Sequence, residues 1–206
     1  FFFFSIHLNS IYPDFGSALA QLDKGLDLNP NFDRGLKLKA LVLEQQGKKP
    51  ELVAVLKRVL ELDPQPSLAK KLVSLHFELG QLNEAYNILA TLKEPTSDYH
   101  YDLALLSWKL KNHTQALTHI NQAIKLNADF ARARLLKLEI LLSSEQKVEA
   151  MSTMKRWLIT DKEPKSYTML GMLLASNAIS LADTIALLED VARTTKHHKE
   201  TFSFLG

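Results

Sequence analysis

The sequence predicts an all-α fold, a right-handed superhelical α-solenoid of antiparallel helix pairs. Two observations predict it. The first is a punctuation signal that returns about every 34 residues. Leu28-Asn29-Pro30-Asn31-Phe32 is followed by Leu62-Asp63-Pro64, then by Lys93-Glu94-Pro95. Leu126-Asn127-Ala128-Asp129-Phe130 then repeats the first signal, and Trp157-Leu158-Ile159-Thr160-Asp161-Lys162 with Pro164 closes another unit. Each signal ends an amphipathic stretch, and proline stops a helix because it lacks an N–H and excludes its predecessor from the helical region. The second observation is apolar residues at helical spacing on both sides of each signal. A helix pair of about 34 residues cannot bury its apolar face alone, so stacked pairs share one core and a small rotation per pair winds a superhelix.

The elements follow in chain order. Second helices show the triplets Ala18, Leu22, Gly25; Leu52, Leu56, Val59; Ala85, Leu89, Leu92; Ala116, Ile120, Ala123; and Ala150, Met154, Trp157. First helices show Leu36, Ala40, Leu43; Leu72, Val73, Leu79; Leu103, Ala104, Leu110; Leu138, Leu141; and Leu170, Gly171, Leu174. Gly47-Lys48-Lys49-Pro50, Gly80-Gln81, Lys111-Asn112 and Ser143-Ser144 separate the helices within pairs. The expected pairs are 33–46 with 50–62, 67–79 with 82–93, 97–110 with 113–126, 131–143 with 147–160, and 165–177 with 181–196. Residues 1–32 are a partial N-terminal repeat, 33–196 hold five repeats, and 197–206 are a C-terminal tail. The stretch from Ser180 to Lys196 fits the pattern poorly and is expected to carry a small insertion. Ala40, Ala85, Ala104, Ala116, Ala150 and Gly171 are expected where helix axes approach closely.

Phe1-Phe2-Phe3-Phe4 opens the chain without a methionine, and the sequence reads as a fragment. The run is either the end of a signal or anchor segment or part of a helix packed on the first repeat. It is the only route to a membrane the sequence offers, and the compartment, cytoplasmic or periplasmic, stays open. Otherwise no apolar run approaches the roughly 20 residues that cross a bilayer.

Of 206 residues, 25 are basic and 23 acidic, for a net charge of +2, so nucleic acid is not an expected partner. There is no cysteine, which excludes disulfides, thiolate metal sites and cysteine nucleophiles. The seven glycines are scattered, without a phosphate-cradling loop. His113 and His119 are six apart and miss the i, i+4 spacing of a helical zinc pair; His197 and His198 are adjacent and diverge. Glu44 and Glu51, Asp161 and Glu163, and Glu189 and Asp190 fall at helix ends and on solvent faces. No catalytic residue, cofactor, metal or small-molecule substrate is expected.

The chain resembles the tetratricopeptide repeat family. Leu79-Gly80-Gln81-Leu82-Asn83-Glu84-Ala85-Tyr86 is close to the family's turn, and Leu170-Gly171 is similar to its first-helix motif. The resemblance runs over residues 14–196, although the family's first-helix tryptophan and tyrosine are mostly missing. It implies that first helices line a concave face that holds a peptide or a partner helix. Carried over position by position, that groove contains Arg34, Lys37, Leu41 and Glu44; Lys70, Ser74, Phe77 and Glu78; Asp98, Tyr101, Leu105, Trp108 and Lys109; and Arg132, Leu135, Glu139 and Leu142. The register of the second repeat is open by one residue. The resemblance therefore implies partner binding by Arg34, Lys37, Lys70, Phe77, Tyr101, Leu105, Trp108 and Arg132, with a basic entrance and an apolar, aromatic middle. His76 and His100 would border this face. Trp108 would face it beside Phe77 or pack between repeats, whereas Trp157 belongs to the core. Family members that clamp the acidic C-terminus of heat-shock chaperones need asparagines where Leu41, Ser74 and Asp102 stand, so that mode is not expected.

The implied function is a non-catalytic scaffold or adaptor for a protein or peptide segment, of a style seen in bacterial envelope, pilus or secretion assembly. The alternative is a regulatory peptide-sensing domain of a larger protein. A second copy of the chain could also fill the groove.

Overall fold

The computed structural model describes residues 14–93, 95–160 and 165–203, with side chains described as far as residue 195. Phe1–Phe4, Asp161, Glu163 and Pro164, and the side chains of His197 and His198, lie outside the described residues. Eleven helices and no strand occur among the described residues. They are α1 (Phe15–Leu28), α2 (Asp33–Gln45), α3 (Lys49–Leu62), α4 (Pro66–Glu78), α5 (Leu82–Leu92), α6 (Ser97–Lys109), α7 (His113–Leu126), α8 (Ala131–Ser143), α9 (Lys147–Thr160), α10 (Lys165–Ala175) and α11 (Leu181–Ser203). The helix spans expected from periodicity and punctuation agree to within two residues, except for the last. That helix continues to Ser203 because residues 197–203 hold neither proline nor glycine.

One turn geometry joins the two helices of every pair. Gly47, Gly80, Lys111, Glu145 and Asn177 all have positive φ, between 55° and 72°. After each first helix the next N–H bonds back five residues: Lys48 to Leu43, Gln81 to His76, Asn112 to Ser107, Gln146 to Leu141 and Ala178 to Leu173. This is the Schellman closure, in which a left-handed residue satisfies carbonyls the helix end would orphan. Only two of the five positions are glycine, so three side chains tolerate the left-handed region. In the fourth pair the turning residue is Glu145, and Ser143 still belongs to α8.

The expected insertion in the last pair is visible here. Asn112 caps α7 directly after Lys111, whereas Ser180 follows Asn177 by three positions. Ser180 Oγ accepts from Asp183 N at 3.1 Å and Asp183 Oδ2 accepts from Ser180 N at 3.3 Å, a reciprocal cap at the start of α11. The extra residues bring Ile179 into the core, where it is buried.

The chain divides into two compact units after Lys93. In the first, α2, α3 and α4 enclose Leu36, Leu43, Leu52, Leu56, Val59 and Leu72, and Leu19 and Leu26 of α1 lean on this core. In the second, Ala104, Ala116, Ile120, Ala123, Leu136 and Ile140 form one cluster. Leu138, Leu141, Met154, Trp157, Leu170 and Leu187 form another. Each large aliphatic side chain so buried contributes about 1.5–3 kcal/mol relative to exposure. Ala85, Ala104 and Ala116 are completely buried, as close helix approach requires. Gly171 is not. It is exposed, and a Cβ there would meet nothing within 4 Å, so the Leu170-Gly171 match lies one position off the packed stripe. Leu170 occupies the core position instead.

Candidate binding faces of the first helices

In the second unit the side chains of α6 and α8 meet along one face. Phe130, at the N-terminal boundary of α8, packs its ring 5.1 Å from that of Tyr101 on α6. The guanidinium of Arg132 lies over both rings, 5.6 Å from the Tyr101 centroid and 5.4 Å from that of Phe130. Two turns further along α6, Trp108 Nε1 donates to Ser143 Oγ at 2.9 Å. The Lys109 ammonium sits 5.2 Å from the same indole. Leu105, between Tyr101 and Trp108, is half-buried against the underlying cluster. Glu139 of α8 is half-buried on this face, and burial raises its carboxyl pKa against the opposing pull of Lys109. Burial likewise raises the Tyr101 phenol, while nearby Arg132 lowers it.

The residues of this face lie within residues 101–166, which match the sequence pattern of the tetratricopeptide repeat family. That segment is similar to the tetratricopeptide repeat. The matched segment covers α6 from Tyr101 onward and all of α7, α8 and α9. A search of curated proteins finds no match to the sequence. Among solved structures, MamA superposes with a TM-score of 0.55 at 21% identity, over 76% of this chain and 88% of that one. A tetratricopeptide repeat protein from Parabacteroides merdae gives 0.55 at 17% identity, over 91% and 82%. PilF of Pseudomonas aeruginosa gives 0.50 at 16% identity, over 93% and 89%. At these identities the likeness is one of fold.

In the first unit the corresponding face carries charge rather than aromatic rings. A surface depression of about 400 Å³ between α2 and α4 is lined by Lys37, Leu41, Glu44, Ser67, Leu68 and Lys71, among others. Lys37 Nζ binds Asp33 at 3.0 Å and Asp63 at 3.1 Å, and these bonds, Asp33 foremost, raise its pKa. Lys71 Nζ binds Glu44 at 2.6 Å and Lys49 binds Glu78 at 3.0 Å. Of the basic entrance expected at Arg34, Lys37 and Lys70, Lys37 is thus engaged by two carboxylates. The register of α4 also resolves: Lys71, with Ser67 and Ser74, lines this side, while Lys70 is exposed one position round the helix. Arg34 is exposed at the start of α2, and Phe77 is 37% exposed on α4.

Two histidine assignments change. His76 is buried, not on the concave side, and its Nδ1 donates to Gln81 Oε1 at 2.7 Å across the Gly80 turn. Its apolar neighbours on the repeat, Leu72 and Leu75, are the signal that it belongs to the core stripe. His100 pairs with His119 of α7, Nδ1 to Nδ1 at 3.3 Å, at the contact between the two helices of one repeat. Burial lowers both imidazole pKa values. Spacing along one helix could not reveal this pair, because its members sit on different helices. Among the described residues no group of three or more His, Asp or Glu is placed to hold a metal ion, and no helix is long and apolar enough to cross a membrane.

Proposed function

We propose that this chain is a protein-interaction scaffold and that the α6–α8 face of its second unit grips a partner segment. The observation that carries the reading is the Tyr101–Phe130–Arg132 stack beside half-buried Trp108. These residue types make most of the affinity in interfaces, because aromatic side chains bury large surface with little rotamer loss and arginine offers a planar fork of donors that also stacks on rings. Here they are already restrained, Trp108 by Ser143 and Arg132 by two rings, which lowers the ordering cost on binding. Leu105 extends the apolar floor. The match of residues 101–166 to the tetratricopeptide repeat supports a scaffold role.

The test is photo-cross-linking in the native host. A benzophenone amino acid at Leu105 or Leu135 is expected to give a discrete adduct. The same group at Thr118 or Ser152, exposed on second helices, is expected to give none. Adducts from the second-helix positions alone would overturn the reading.

A further inference from the structure

The α6–α8 face carries two opposite charges that no hydrogen bond or ion pair engages among the described residues. Arg132 is held over Tyr101 and Phe130, and no hydrogen bond or ion pair engages its guanidinium among the described residues. All its N–H donors, in a planar fork suited to a carboxylate, are available. Glu139 is half-buried, and no hydrogen bond or ion pair closes on its carboxylate among the described residues. The contrast with the first unit is sharp: there Lys37, Lys49 and Lys71 each hold a carboxylate. Desolvation of the half-buried Glu139 carboxylate is a cost that a cationic ligand group offsets, and the exposed, ring-stacked Arg132 guanidinium is free to bind a carboxylate.

Both residues sit on α8 and both act on α6: Arg132 on the Tyr101 ring, Glu139 on the Tyr101 hydroxyl and the Lys109 ammonium through their fields. They are seven residues apart, which sets them about 10 Å apart along the helix axis at 1.5 Å per residue. Between them lie Leu135 of α8 and Leu105 of α6, both half-buried. The side chains of α6 and α8 touch at one end through Tyr101 and Arg132 and at the other through Trp108 and Ser143. A ligand helix, about 10–12 Å across, does not sink into such a closed face, whereas an extended strand lies along it.

We infer that this face reads an extended peptide segment bearing an acidic and a basic side chain three residues apart with a large apolar residue between them. Three residues of polyproline-II chain advance about 9 Å and return the side chain to the same side, so one charge meets Arg132 and the other Glu139. The apolar residue lies on Leu105, Leu135 and the exposed part of Trp108. The inference rests on the α6–α8 face being the binding surface.

The experiment is an array of synthetic twelve-residue peptides probed with the purified chain. Each peptide holds one phenylalanine or leucine, one glutamate and one lysine, with the two charges separated by one to seven residues in both orders. The strongest retention is expected at a separation of three, in one order. Arg132→Glu alone is expected to weaken the best peptide about tenfold or more, as loss of a charge-assisted bond does. The double variant Arg132→Glu with Glu139→Lys is expected to prefer the reversed order, an outcome that altered folding does not produce. Retention of no peptide, no dependence on separation, a maximum at seven alone, or an unchanged order preference in the double variant overturns the inference. If Trp108→Ala abolishes binding while the charge variants leave it intact, the face binds peptides but not by this charge pair. If none of the three substitutions matters, the binding face itself is misplaced.

Discussion

The indole N–H of Trp108 reaches across from α6 to the hydroxyl of Ser143 at the end of α8, 35 residues along the chain and 2.9 Å away. One period of the repeat separates the two partners, so the bond locks a repeat to its successor. It also orients the indole so that part of it faces solvent beside Lys109. Replacing Ser143 with alanine is expected to cost at most about 1 kcal/mol, because water can satisfy the freed N–H. In a chain whose other tryptophan is replaced by phenylalanine, Trp108 emission is expected to shift to longer wavelength. Unchanged emission would mean the indole is held by packing alone.

The interior of the second unit makes a larger demand. Ala116 has no exposed surface and lies in the cluster with Ala104, Ile120 and Ile140. Ala116→Phe is expected to destabilise by about 1–3 kcal/mol through overpacking. Denaturant unfolding measures it, and a midpoint equal to the parent's would place Ala116 outside the helix crossing.

The five left-handed turns give paired expectations of opposite sign. Gly80 has φ of 72° with open space around its Cα, so Gly80→Ala adds backbone strain and no clash; the expected loss is about 1 kcal/mol. Lys111 already bears that strain at φ of 64°, and Lys111→Gly is expected to stabilise by up to about 1 kcal/mol, the relief being partly offset by the freer unfolded chain. Thermal unfolding of the two variants checks both signs.

These turns also show how much of the fold was legible. Gly80-Gln81 announces its turn, since glycine is at ease at positive φ. Asn177 and Glu145 adopt the same geometry without glycine; the neighbouring Ser143-Ser144 marked the turn at Glu145, and only the helical period on either side placed the one at Asn177. Helix spans followed from punctuation and periodicity because proline and buried stripes leave direct marks. The grouping of side chains on the proposed face was legible in part. Tyr101, Leu105, Trp108 and Arg132 come together on one side of the second unit, as their repeat positions implied. What the sequence could not convey is which charges find partners. Lys37 and Lys71 are neutralised by Asp63 and Glu44, which lie 26 and 27 residues away. Arg132 instead settles on aromatic rings. The one-residue shift between Lys70 and Lys71 arose because α4 begins at Pro66 and carries Ala69 and Leu72 inward.

Acid weakens this chain in two windows. His100 and His119 have folded pKa values held below 6.5 by burial, so protons bind the unfolded chain more readily. Stability is complete above that value and falls as pH drops below it. Asp183, bonded to Lys147 and Ser180, has its pKa lowered to about 2 from 3.8. Its contribution is present above 3.8 and is lost as pH falls toward 2. His119→Gln is expected to flatten the upper window and Asp183→Asn the lower, in unfolding midpoints measured from pH 8 to 3. A variant that flattens the wrong window contradicts the assignment.

The central claim, that a partner lies on the first-helix face of the second unit, is tested most directly by amide chemical-shift mapping with the partner captured by cross-linking. The perturbed signals are expected to cluster at Tyr101, Leu105, Trp108, Arg132, Leu135 and Glu139 and to spare the exposed residues of α7 and α9. A map centred on Thr118, Ser152 and their neighbours, with Trp108 and Arg132 unmoved at saturation, would contradict it.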